Sequence, residues 1–406
     1  MYPNKLYQLA FAFRKAKLWK ALYDSELFAV TLPDGEVGYC CIMGAAGEHL
    51  ALALYVGNSG LDNYRLLQEV GNMEVHPLKA YEIMLSQDCL QCSFENKDML
   101  SPEELSAARA YASEHQFALR GANAFPQFVS YHPASHPWPV SDQRDIRLLC
   151  AALEAALEVS KRLKGADKIR LGFREGPAHD HSIPLLTRSG EGFVWSLHPL
   201  PPKQPSQYPE PTLNNDLLLA RLRKTKKRSG IWVCDVVLMP QPMMEDDATA
   251  PIFPYTLLLA VCETELALPT EVISNYESEC ETLLRALGNR MLEHGIPKEI
   301  RVVDERTYAL LKNLASALKI KLVLQAEDDL LNEMEMDFLE YTSAQTADTV
   351  EETAAEFVET LLTLDDDSLL SSLPNELWGQ LCSLERQGML DEAVAQRLRA
   401  LSKRKR

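Results

Sequence analysis

Two cysteines, Cys89 and Cys92, stand three residues apart in the segment MLSQDCLQCSFENKDMLSPEE. A Cys-x-x-Cys pair can supply half of a tetrahedral zinc site, or it can form a redox couple. A structural zinc site would need two more ligands, and Cys40-Cys41 could add only one thiol because adjacent strand residues point to opposite faces. Two interpretations stay open: a metal site at Cys89 and Cys92, or reduced thiols packed in the core.

A second feature with chemical potential is a basic run, which we call the basic patch: Arg221, Arg223, Lys224, Lys226, Lys227 and Arg228. Such a run can contact the phosphates of a nucleic acid. It can equally be a solvated helix end, where cations offset the helix dipole. A third possibility is that it receives the chain's own acidic tail, since residues 327–392 hold 19 Asp or Glu and one basic residue, Arg386.

Composition argues against several classes of function. The formal net charge is −17, and residues 327–392 account for −18 of it, so the remaining chain is close to neutral and lacks an overall cationic character for coating nucleic acid. No Gly-rich phosphate loop and no Gly-x-Ser-x-Gly elbow occurs, which weakens nucleotide-binding and hydrolase interpretations. Neither a signal peptide nor an 18-residue apolar run is recognisable, so we expect a cytoplasmic protein with no membrane contact.

These residues must be positioned by at least two domains, because the chain has 406 residues. Residues 1–198 predict an α+β domain. A helix is expected from Asn4 to Tyr23, and Pro33-Asp34-Gly35 predicts the turn of a hairpin. A capping box that begins at Ser101 predicts the start of another helix.

Residues 199–212 predict a linker, because six prolines occur in the thirteen residues 199–211 and exclude a helix or a central strand. Residues 213–326 predict an α/β domain with a mixed sheet. Its apolar strands alternate with amphipathic helices, which implies parallel pairing of the strands. Residues 327–406 predict an acidic helical tail with an apolar seam at Val350, Ala354, Phe357, Leu361 and Leu364.

Two resemblances add to these expectations. The segments GEVGYCCIMGAAGEHLALALYVG and MLSQDCLQCSFENKDMLSPEE resemble an uncharacterised bacterial family known mainly from Firmicutes, over the chain up to about residue 326. That resemblance implies two domains and no known activity.

The second resemblance covers residues 230–326. Trp232-Val233-Cys234-Asp235 is similar to the first strand of integrases and transposases with a ribonuclease-H-like fold, and the segment from His294 to Asp304 is similar to the one that carries their second carboxylate. The resemblance implies that Asp235 and Asp304 lie on adjacent strands. It also implies a third acid on a later helix, where Asp337 and Glu340 are available.

The sequence therefore leaves two functions open. We expect a non-catalytic interaction protein that needs no cofactor and binds an unidentified protein partner, with the tail as the candidate binding segment, because no complete catalytic set is recognisable. The alternative is a Mg²⁺-dependent, ribonuclease-H-like enzyme acting on nucleic acid through Asp235, Asp304 and Glu340, in which two metal ions would clamp an in-line phosphodiester attack.

Overall fold

The computed structural model describes residues 2–47, 49–70, 76–174, 182–190, 192–244, 251–268, 270–342 and 392–404. The chain divides into two compact units, Met1–Asp337 and Phe338–Arg406. The predicted apolar seam from Val350 to Leu364 lies outside the described residues. Within the described ranges, no helix is both long and apolar enough to cross a membrane.

The first sheet has eight strands. They are β1 (Phe28–Thr31), β2 (Val37–Met43), β3 (Leu50–Val56), β4 (Cys89–Glu95), β5 (Phe125–Tyr131), β6 (Trp138–Pro139), β7 (Ser182–Ser189) and β8 (Gly192–Pro199). Their spatial order is β6-β5-β4-β3-β2-β1-β7-β8. Neighbours are antiparallel except β1 and β7, which run parallel.

In the described residues, five α-helices accompany this sheet: α1 (Asn4–Ala16), α2 (Gly57–Val70), α3 (Pro77–Leu85), α4 (Pro102–Glu114) and α5 (Gln143–Leu163). Because side chains alternate along a strand, the sheet has an apolar core on each side. Cys40 belongs to the larger core, with residues of α1, α4 and α5, whereas Cys41 belongs to the smaller one, with residues of α2. The predicted capping box is present, since Ser101 and Glu104 each accept a hydrogen bond from the other's backbone N–H.

The second sheet contains β9 (Ile231–Leu238), β10 (Tyr255–Val261), β11 (Leu266–Ala267), β12 (Val272–Ile273), β13 (Glu299–Val302) and β14 (Lys321–Leu324). The order is β11-β10-β9-β13-β14, with β12 also paired to β10. Strands β9, β13 and β14 are mutually parallel, as the alternation of strands and helices predicts, while β10 is antiparallel to β9.

Helices α6 (Asp216–Lys224), α7 (Tyr276–His294) and α8 (Glu305–Leu318) pack against one face of this sheet. Trp232, Cys234 and Val236 of β9 enter their apolar core, so Asp235 points to the opposite face. Residues 329–342 form a further helix, α9, and Glu392–Arg404 form α10.

The proline-rich segment 200–215 contains no helix or strand, but it is held by side chains from both sheets' domains. Arg65 of α2 donates to the carbonyl oxygen of Pro201 at 2.7 Å. Lys312 of α8 donates to Glu210 at 2.6 Å. The segment is therefore anchored near both of its ends.

Candidate functional site

Asp235 is a buried carboxylate in the middle of β9, with 7% of its surface exposed. The hydroxyl of Thr307, in the first turn of α8, donates to Asp235 Oδ1 at 2.7 Å. The same hydroxyl accepts a hydrogen bond from Val236 N at 2.8 Å. Thr307 therefore holds the strand and the carboxylate in a fixed relation to the start of α8.

Asp304 lies just beyond the carboxyl end of β13, where it caps α8. Its Oδ1 accepts the backbone N–H of Arg306 at 2.8 Å, the usual role of an N-cap aspartate. Its Oδ2 accepts a hydrogen bond of 2.8 Å from the ammonium of Lys79. Burial alone would raise the pKa of Asp304, but the charges of Lys79 and Arg306 outweigh it and lower that pKa.

Glu335 of α9 is the third carboxylate at this place, with 5% of its surface exposed. It is hydrogen-bonded to Asp235, and its Oε2 lies 3.0 Å from His76 Nδ1. Burial first, and then the charge of Asp235, raises the pKa of Glu335 to about 8. Burial, followed by the charge of Asp304, also raises the pKa of Asp235. The two carboxyls therefore share one proton near neutral pH and titrate as a pair.

Helix α3, which accompanies the first sheet, supplies Lys79 and Glu82 to the charged groups around these carboxylates. Lys79 lies 3.6 Å from Glu82 in addition to its bond with Asp304. Glu82 accepts a forked pair of hydrogen bonds, of 2.5 and 3.1 Å, from Arg306. Arg306 is buried, and it also donates to the carbonyl oxygen of Val236. One ionic network thus joins α3 to β9 and to the start of α8.

These side chains line a cleft of about 450 Å³, which we call the carboxylate cleft; its polar walls include His76, Lys79, Asp235, Asp304, Asn332 and Glu335. With one proton shared between Asp235 and Glu335, the carboxylates of the network exceed its two cations, so the cleft favours a positively charged ligand.

Oxygen donors of this kind suit Mg²⁺. Yet Asp304 already accepts a hydrogen bond from Lys79, and Asp235 and Glu335 are hydrogen-bonded to each other. No group of three or more His, Cys, Asp or Glu side chains is arranged to hold a metal ion anywhere in the described ranges. In this arrangement the donors do not fit a metal.

The sequence identifies two of the three carboxylates and misses the third. The structure brings Asp235, on β9, and Asp304, just beyond the end of β13, to one cleft. Asp337 and Glu340 are exposed on α9, and neither lines the cleft, so the acid that completes the group is Glu335 instead. The contributions of Lys79 and Glu82 are not predicted, because α3 belongs to the other domain.

The cysteine pair is not brought together. Cys89 and Cys92 both lie on β4, three residues apart, and an odd spacing on a strand places side chains on opposite faces. Cys92 accordingly enters the larger core of the first sheet and Cys89 the smaller one. This geometry corrects the expectation that the two thiols could face one metal ion. Burial raises the pKa of Cys89 to about 12, which suits a packed thiol.

The basic patch is exposed, but it lies at the other end of the sheet from the cleft. Its residues span the last turn of α6 and the segment before β9, and all six are exposed. Arg228 is bridged to Ile296, ahead of the amino ends of β9 and β13. Asp304 follows the carboxyl end of β13. Nearness to Asp235 in sequence therefore does not place the patch beside the carboxylates.

The fold and site define a compact unit, Met1–Asp337, in which two mixed sheets with their helices are joined by an ionic network and line a carboxylate cleft. Residues 4–178 match the family model described as "Domain of unknown function (DUF7309)", and residues 218–339 match "Domain of unknown function (DUF6930)". A search of curated proteins finds no match to this chain. Each family match supplies part of the cleft, since Lys79 falls in the first and Asp235 in the second.

Proposed function

We propose that this is an interaction protein whose carboxylate cleft receives a basic side chain of a protein partner. The observation that carries the proposal is the 2.8 Å bond from the Lys79 ammonium to Asp304. It identifies the chemistry that the cleft accepts, namely a primary ammonium held by carboxylates. Among the described residues, no Lys or Arg forms an ion pair with Asp235 or Glu335, and the basic side chain beside Glu335 is that of His76. This carboxyl pair can bind a cation by releasing its shared proton.

A peptide experiment tests this role. The probe is a fluorescent Gly-Ser peptide with one central lysine, compared with the same peptide carrying Nε-acetyl-lysine, by anisotropy with the full chain at pH 8. We expect the lysine peptide to bind more tightly by at least about tenfold, because the acetylated side chain has no charge for the carboxylates.

Two variants locate the binding. Glu335→Gln removes the ionisable partner of Asp235 and is expected to abolish the preference for lysine. Glu333→Gln, an exposed position on the same helix, is the matched control and should bind like the parent. Equal binding of the two peptides, or a preference unaffected by Glu335→Gln, would contradict the proposal.

A second candidate is the Mg²⁺-dependent enzyme, and one observation favours it. Asp235 comes from β9, Asp304 from the end of β13 and Glu335 from the helix after β14, in a sheet with the order β11-β10-β9-β13-β14. We propose that this topology is ribonuclease-H-like, with Glu335 taking the place first assigned to Glu340. In such an enzyme the three carboxylates would hold the metal ions, and Lys79 would have to leave Asp304.

Cleavage assays separate the two candidates. Labelled RNA and DNA are incubated with the parent, Asp235→Asn and Lys79→Met, in Mg²⁺ and in Mn²⁺. The interaction role predicts no cleavage by any of the three proteins. Cleavage by the parent that disappears in Asp235→Asn would instead support the enzyme, and an increase in Lys79→Met would identify Lys79 as an obstacle to it.

A further inference from the structure

Ser130, His132 and Asp88 form a linked group on the first sheet, and none of them lines the carboxylate cleft. Ser130 Oγ lies 2.9 Å from His132 Nε2. His132 Nδ1 lies 3.9 Å from Asp88 Oδ1. The sheet explains this arrangement. Ser130 and His132 are two residues apart in extended chain and face the same side, while the pairing of Cys89 with Tyr131 places Asp88 opposite His132.

The three side chains form a line in which the imidazole of His132 lies between the hydroxyl of Ser130 and the carboxylate of Asp88. When His132 Nδ1 carries the proton and faces Asp88, Nε2 has a free lone pair that can accept the proton of Ser130. Asp88 raises the pKa of His132 against the opposite effect of burial, and Asp145 in the first turn of α5 acts in the same direction as Asp88. Both carboxylates therefore strengthen the base.

Ser130 has 7% of its surface exposed, and its neighbours on the same face indicate which substrate could reach its hydroxyl. Trp138 is paired directly with Ser130 across β5 and β6, so the two side chains lie on the same face. Its indole is 41% exposed, and the imidazole of His132 is 62% exposed. Asp88 and Asp145 disfavour anions, so a neutral ester with a small apolar acyl group fits this surface best.

We propose that Ser130 is the nucleophile of an ester-hydrolysing site on the first domain, with His132 as its base and Asp88 as a positioning residue. Ser130 Oγ attacks the ester carbonyl carbon while its proton passes to His132 Nε2. The intermediate then collapses, the C–O bond to the alcohol breaks, and the alcohol leaves with that proton. Water attacks the acyl-serine, gives one proton to His132 and releases the acid, and His132 returns the proton to Ser130.

The Ser130 site is separate from the carboxylate cleft and does not require the role proposed for that cleft. A Gly-x-Ser-x-Gly elbow is not required, because the arrangement is recognised by geometry rather than by sequence position.

A fluorophosphonate probe and p-nitrophenyl acetate test the site on the full chain. We expect the probe to attach to Ser130, as located by peptide mass spectrometry. We expect ester hydrolysis to fall by about 100-fold or more in Ser130→Ala and His132→Gln, since general-base assistance contributes roughly 10²–10⁴-fold. His132 is exposed, so its replacement leaves the fold intact.

The chain contains a matched control. Ser196-Leu197-His198 on β8 has the same Ser-x-His spacing on an exposed strand, but His198 Nε2 lies 3.3 Å from the hydroxyl of Tyr39 instead. Ser196→Ala should hydrolyse the ester like the parent, and the probe should leave Ser196 unlabelled.

Asp88→Asn tests the positioning role. Loss of the carboxylate should move the pH midpoint of hydrolysis to lower pH, because Asp88 raises the pKa of His132 and only Asp145 remains to do so. A purely structural residue would lower the rate without moving that midpoint. The proposal is overturned if Ser130 is not labelled, or if Ser130→Ala and His132→Gln hydrolyse the ester at the parent's rate.

Discussion

The replacement Glu335→Gln should change how the stability of the chain depends on pH. Glu335 has an ordinary pKa of 4.5 when unfolded and a pKa of about 8 in the folded protein. Between these two values the unfolded chain releases a proton that the folded protein keeps. The stabilisation is therefore complete below pH 4.5 and is lost as the pH rises towards about 8.

The size of this stabilisation follows from the difference between the unfolded and folded pKa values of Glu335. Each pH unit corresponds to about 1.4 kcal/mol, so the full interval amounts to about 4–5 kcal/mol. Asp235 titrates together with Glu335, and its own raised pKa has the same sign. Because the pair shares one proton, we expect Glu335→Gln to remove about 2–5 kcal/mol of this pH-dependent change in the free energy of unfolding.

Glutamine is the appropriate replacement because it keeps the shape of the protonated acid and still has an N–H to donate to Asp235. At pH 5 the parent and Glu335→Gln should be similarly stable. At pH 8 the variant should be more stable than the parent by about 2–5 kcal/mol. Urea unfolding followed by tryptophan fluorescence measures this difference, since Trp232 is fully buried in the second domain.

The exposed Glu333 on the same helix provides the control, and Glu333→Gln should follow the parent at every pH. The reasoning is refuted if the parent and Glu335→Gln differ by the same amount at pH 5 and at pH 8. That outcome would mean that Glu335 ionises normally in the folded protein.

Three further replacements test the network. Lys79→Met should cost about 1 kcal/mol by urea unfolding, a small effect because Lys79 is 38% exposed and its ion pair with Asp304 is screened by solvent. Thr307→Val should cost about 1–3 kcal/mol in the same assay, because it leaves buried hydrogen-bonding groups on β9 without their partner. Arg306→Met should cost about 3–5 kcal/mol, because Glu82 loses its forked partner, and Arg306→Met combined with Glu82→Gln should recover part of that loss.

Local signals predict much of the fold. The capping box at Ser101 and the parallel pairing of β9, β13 and β14 follow from turn chemistry and from the alternation of strands with helices. The first helix is shorter than predicted, because Lys17 adopts a left-handed conformation with φ of 53° and ends α1 at Ala16. The apolar periodicity continues past Lys17 into a 3-10 turn, so it gives no sign of that end.

The candidate site is less predictable, because its parts are far apart in the chain. Asp235 and Asp304 are singled out by the resemblance of residues 230–326 to ribonuclease-H-like enzymes. Lys79 is 225 residues from Asp304, and Glu82 is 224 residues from Arg306. Neither contact can be read from local patterns, because it exists only when α3 packs against the second domain.

The third carboxylate could have been identified from helical phase rather than from residue type. Residues 327–340 contain seven acids, Glu335 and Glu340 among them, so the presence of an acid in this segment does not identify the third carboxylate. The position of each acid along the helix does identify it. Leu331 is fully buried, and Glu335 follows it by one helical turn on the same face, whereas Asp337 and Glu340 lie on the exposed side. An acid that shares the buried stripe of an amphipathic helix must find its partners inside the protein, and Glu335 finds Asp235.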